Sequence, residues 1–121
     1  MNVLRVDGDR LWRSLMDLAR IGATAKGGVR RLALTELDRE GRDRFVQWAR
    51  DAGLGVRVDP IGNIFARRSG CEATLAPVMI GSHLDTQPSG GKFDGAYGVL
   101  AALEIVRTLN DCGLRTGILG V

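Results

Sequence analysis

An α/β fold is what this sequence predicts, on three grounds. Long segments repeat apolar residues every three or four positions, as helices do. Short segments either alternate or run wholly apolar, as strands do, and Gly-rich punctuation separates the two kinds. Taken in order they read helix, helix, hairpin, strand, helix, strand, with no internal repeat and no low-complexity stretch.

Asp9 to about Ile21 is expected to be an amphipathic helix, with Leu11, Leu15 and Leu18 on one stripe and Trp12, Met16 and Ala19 alongside. "GATAKGG" breaks it and gives a loop to about residue 28. Thr35 opens a second helix, because "TELD" places an acid three residues after a capping residue. Its inward side reads Leu37, Gly41, Phe45, Trp48 and Ala52, and its mixed charges read as a solvated face. "VRVD", the turn "PIGN" and "NIFARR" make a hairpin. "CEATLAP" is a loop, and "VMIG" has the wholly apolar character of a strand buried in a parallel sheet. Gly95 to Asp111 is a long helix with Leu100, Leu103, Val106 and Leu109 facing inward; Gly113 stops it, and "TGILGV" begins another strand.

Composition narrows the function classes. With 121 residues, 45% apolar and 26% charged, the chain has room for one ordinary domain and is not of disordered type. The net charge of +3 is uneven: residues 1–70 hold 14 basic and 9 acidic side chains, residues 71–121 hold 3 and 5. Aromatic residues are only 5% and no basic block alternates with them, which argues against nucleic-acid binding. The pairs Arg30-Arg31 and Arg67-Arg68 read as solvated surface. Cys71 and Cys112 lack CxxC spacing and read as two free thiols. "MNVLRVDGDRLW" has no apolar core of the secretory kind, and "YGVLAALEIV" is interrupted by Glu104 and too short for a bilayer; a cytoplasmic protein is the expectation.

The chemistry gathers in "VMIGSHLDTQPSGGKFDGAYGVL", which holds the single histidine of the chain. Ligand sites of open α/β sheets form beyond the carboxyl ends of strands, and "SHLDT" follows "VMIG" directly. In extended backbone, residues two apart point to the same side, so His83 and Asp85 face one cavity. A carboxylate beside an imidazole suits a metal ligand whose second ring nitrogen needs a partner, and equally an ordinary hydrogen-bonded pair. Asp94 precedes Gly95 and the last helix, where it reads as an N-cap or as a metal ligand, with the two roles compatible. Gly90 and Gly91 are expected to turn the chain between the candidate ligands. "SGGKFDG" is neither GxGxxG nor a P-loop, and Asp94 at a helix mouth opposes an anion, which leaves phosphate binding by a flavodoxin-like nucleotide module as a minor alternative.

"GSHLDTQPSGGKFDGAYGVLAALEIVRTLND" resembles the first metal-binding motif of the metallopeptidase-like amidohydrolases that include N-carbamoyl-L-amino-acid hydrolases, allantoate amidohydrolases and β-ureidopropionases. Residues 10–70 resemble the N-terminal region of the same branch. The resemblance implies the N-terminal part of a zinc-peptidase-like mixed sheet flanked by helices. It implies His83 as ligand to one metal, Asp94 as a carboxylate bridging two, and Asp85 as the partner that orients His83. Two divalent ions (zinc, manganese, cobalt or nickel) would activate a water, with a Glu as general base, to attack the C–N bond of a ureido group. Such enzymes form homodimers through a separate lid domain. The family's Glu pair, its two later histidine ligands and that lid find no counterpart here. Residues 1–121 are therefore expected to be the N-terminal portion of a catalytic domain. Two functions of different class follow: an amidohydrolase of ureido compounds whose activity needs a longer product, or an inactive remnant with weak metal binding. Aminoacylase or peptidase activity of the wider family is a further alternative.

Overall fold

The computed structural model describes residues 3–117 and 119–120. Helix α1 spans Gly8–Ala19 and helix α2 spans Glu36–Asp51; strands β1 (Gly55–Val58) and β2 (Ile64–Arg68) follow. Strand β3 (Val78–Met79), helix α3 (Ala96–Asp111) and strand β4 (Leu119–Gly120) complete the expected order. The sheet runs β1-β2-β4-β3. Pairing is antiparallel for β1/β2 and β2/β4 and parallel for β3/β4, so the sheet is mixed.

Local chemistry explains where the helices start. Asp7 caps α1 by accepting a hydrogen bond from the Arg10 N–H at 2.9 Å. Thr35 caps α2 by accepting from the Asp38 N–H, and the Asp38 carboxylate accepts in return from the Leu34 N–H at 3.0 Å. That is a capping box shifted by one residue. It also corrects the inward face of α2: Asp38 is buried at this corner and Leu37 is exposed, because the carboxylate is needed underneath the loop that leads in. Gly113, at φ +62°, ends α3 in the left-handed region. The hairpin turns as expected, with the Asp59 carboxylate accepting from the backbone N–H groups of Ile61 and Asn63.

The core forms where α1 and α3 pack together and α2 closes over the hairpin. Leu15, Leu18, Phe45, Leu100, Leu103 and Val106 are among its buried members. Two expectations fail against it. The "VMIG" strand does pair in parallel, but Val78 is 60% and Met79 67% exposed, in keeping with the position of β3 at the end of the strand order. Arg31, read as surface, is 1% exposed. Arg30 is exposed, so the pair splits between solvent and interior, as alternate residues of an extended segment do. Cys71 and Cys112 are free and exposed. Among the described residues no helix is long and apolar enough to cross a membrane.

Candidate functional site

Beyond β3 the chain continues in extended backbone, and the alternation of its side chains builds the site. Leu84 and Thr86 turn inward and are buried, while His83 and Asp85 turn outward with half their side-chain surface exposed. The outward pair opens onto a cleft of about 510 Å³, whose other walls include Asp38, Arg42, Asn63 and Phe65. The cleft thus lies between the strand-end segment, α2 and the hairpin.

His83 meets a carboxylate on each side. Its Nδ1 lies 2.9 Å from the Asp85 carbonyl oxygen and 3.2 Å from Asp85 Oδ1. A carbonyl only accepts, so that contact is a hydrogen bond when Nδ1 carries the proton; the lone pair of a neutral ring is then on Nε2. Nε2 lies 3.7 Å from Asp94 Oδ1. Two donors at roughly 2.0–2.2 Å from one tetrahedral ion sit about 3.4 Å apart, so this pair has the separation of co-ligands. The same geometry serves an ion pair when the imidazole is protonated. Among the described residues no group of three or more His, Cys, Asp or Glu side chains is arranged around one such point.

Asp94 reaches this position because it is not the helix cap. The cap of α3 is Gly95, at φ +71° and ψ −51°, with no side-chain cap bond. The cap comes one residue later than the sequence suggested, and the left-handed turn at Gly95 leaves the Asp94 side chain beside His83 instead of over the helix end. A Cβ at Gly95 would lie 2.4 Å from the His83 carbonyl oxygen and 2.5 Å from its Nδ1, so only glycine allows the imidazole to pack there. Gly98 repeats the pattern one turn on, where a Cβ would meet the Ser82 Cβ at 2.8 Å.

The loop between the two carboxylates is tied to the start of the domain. Val29 and Gly90 exchange backbone hydrogen bonds of 2.9 and 3.0 Å, and the Thr86 N–H donates to the Arg31 carbonyl at 2.7 Å. The turn falls at Pro88 and Ser89, not at the glycines, and neither Gly90 nor Gly91 has positive φ. Gly90 is required for close approach instead: a Cβ there would stand 2.9 Å from Thr86 Cβ.

Arg31 is the residue that sequence reading missed. Its Nε donates to the Leu84 carbonyl at 2.8 Å, and one terminal nitrogen donates to the carbonyls of Leu18 at 3.1 Å and Ile21 at 2.8 Å. Burial pushes its pKa down, an effect opposed by the charges of Asp38 and Asp85. The available signal was Val29, two residues earlier, an apolar side chain in phase with Arg31.

No family model matches the sequence. The chain is 54% identical over 112 residues to an N-carbamoyl-L-amino-acid amidohydrolase of Rhizobium meliloti, covering 93% of this chain and 27% of that protein. It is 42% identical over 94 residues to an allantoate amidohydrolase of Bacillus subtilis, covering 78% of this chain and 23% of the relative. A crystal structure of a hydantoinase/carbamoylase family amidase from Burkholderia ambifaria superposes with a TM-score of 0.96 at 68% identity, over 98% of this chain and 30% of that one. The chain spans about a quarter of the length of these curated relatives. Over nearly all of its own length, it belongs to the hydantoinase/carbamoylase family of amidohydrolases.

Proposed function

We propose that this chain carries part of the metal site of an amidohydrolase that cleaves a C–N bond of a small ureido compound, of the N-carbamoyl-L-amino-acid, allantoate or β-ureidopropionate kind. One observation supports it above the others: Nδ1 of His83 is engaged by Asp85 while Nε2 faces Asp94 Oδ1 at 3.7 Å. His83 and Asp94 would hold the divalent ions, and Asp94 would be available to them because neither of its oxygens is used in capping. Asp85 fixes the tautomer of His83 and its rotation. When bound, the metal pair supplies Lewis acidity and a water of lowered pKa. The cleft beside His83 brings polar groups of Asn63 and Arg42 within the same space, which suits a polar planar substrate. Among the described residues no glutamate lines this cleft, so they are assigned the metal-holding part of the chemistry and not the general base.

A second reading is that the 121-residue chain binds a divalent ion without turnover. Its support is that only two donors converge among the described residues, where closed zinc sites use about four. Calorimetric titration with zinc or manganese chloride, on the wild-type chain and His83→Ala, tests the first reading. Binding that survives in His83→Ala, or no binding at all, removes it. Ammonia release from N-carbamoyl-L-amino acids or allantoate separates the two. The expected result is none from the chain alone, and release that His83→Ala abolishes would overturn the second reading.

A further inference from the structure

We infer that Arg31 is a positioning residue that clamps residues 84 and 86 and thereby sets the direction and tautomer of His83. The inference deepens the proposed function, since it concerns the same histidine, but it stands on different contacts. Arg31 grips the strand-end segment twice. Its guanidinium Nε donates to the Leu84 carbonyl at 2.8 Å, and its backbone pairs with Thr86, donating to Thr86 Oγ1 at 2.7 Å and accepting from the Thr86 N–H at 2.7 Å. Leu84 and Thr86 are the residues immediately flanking Asp85. In extended backbone, fixing the inward residues 84 and 86 also fixes the outward residues 83 and 85. The Asp85 carbonyl that meets His83 Nδ1 lies within the clamped stretch.

The far end of the clamp is the end of a helix. The guanidinium also donates to the carbonyls of Leu18 and Ile21, at the C-terminal end of α1, where unpaired carbonyls and the helix dipole both favour a cation. No carboxylate lies within ion-pair distance of this guanidinium among the described residues, although it is 1% exposed. A buried charge held by carbonyls alone is costly for a purely structural role. Space is reserved for it: at Gly41 of α2, a Cβ would come within 2.7 Å of Arg31 Cδ. The planar fork serves three carbonyls from two different segments, which an ammonium on a flexible stem does not reproduce.

The test reads His83 itself. Ring-nitrogen NMR of the metal-free chain, at one fixed pH where the imidazole is neutral, is expected to show the proton on Nδ1. Arg31→Lys keeps the charge and loses the fork. It should remain folded by circular dichroism, give a mixture of tautomers, and weaken zinc binding by about tenfold. Arg10→Lys is the control, because Arg10 is an equally engaged fork on Glu104 with no contact to the strand-end segment. It should lower stability and leave both the tautomer and the zinc affinity unchanged. A folded Arg31→Lys with the wild-type tautomer and zinc affinity within about twofold overturns the inference, as does an Arg10→Lys that shifts both equally. Should Arg31→Lys not fold, Thr86→Val takes its place. It removes the acceptor of the Arg31 N–H, and an unaltered tautomer then overturns the inference. If the wild-type chain binds no zinc, the proposed metal site fails, while the tautomer comparison still decides the role of Arg31.

Discussion

Two arginines anchor opposite sides of this domain, and the partners they choose differ. Arg10 sits between α1 and α3, where it donates to both oxygens of Glu104, at 2.9 and 2.7 Å, and to Asp111 at 2.8 Å. Glu104 is wholly buried and also accepts from the Asp7 N–H, so every charge at this seam has its complement. The carboxylates raise the Arg10 pKa, whereas burial lowers that of Arg31, which holds only carbonyls. Carboxylate pairing joins two helices and leaves the main chain elsewhere free. Carbonyl pairing joins main chain to main chain, and so determines where neighbouring side chains point. Stability and site geometry are therefore carried by different arginines.

The sharpest way to break this contrast is Glu104→Ala. It leaves a partly buried guanidinium with Asp111 alone and is expected to cost about 3 kcal/mol in urea unfolding while His83 keeps its contacts. Gly95→Ala should act in the opposite sense. It places a Cβ against His83 from a left-handed backbone position, with an expected cost of about 2 kcal/mol and a displaced imidazole visible in the His83 ring resonances. Thr35→Ala removes the α2 cap beneath the clamp, and a loss of about 1 kcal/mol is expected without a change in zinc affinity. The smallest effect is acid sensitivity. Asp7 is held below the usual carboxylate range chiefly by the Arg10 N–H, and Asp59 chiefly by the Asn63 side chain. Folded pKa values below the unfolded ones mean stabilisation that is present above the unfolded value and lost as pH falls through the folded one. A denaturation midpoint that declines below about pH 4, less steeply in Asp7→Asn, is the expected outcome.

The order of elements, the hairpin and the inward face of α3 were legible because each follows from local spacing. His83 and Asp85 on one side were legible for the same reason, since period-two alternation needs no tertiary knowledge. What escaped was set by contacts distant in sequence. That Asp94 would yield the cap to Gly95 depends on an imidazole eleven residues back. That Arg31 is interior depends on carbonyls from α1 and from residue 84. Glu104 looked like an interruption of an apolar run, and the structure makes it the buried complement of Arg10. The exposure of β3 was hidden because a wholly apolar strand does not reveal whether anything packs over it.

The seam between α1 and α3 has a consequence in time. Its ion pair joins residues 94 positions apart, and the Asp7 N–H reaches Glu104 across 97. During synthesis at roughly 5–20 residues per second, α1 leaves the ribosome with its apolar face bare and waits on the order of 5–20 s for α3. Of the three helices, the first is thus locked only when the last has formed.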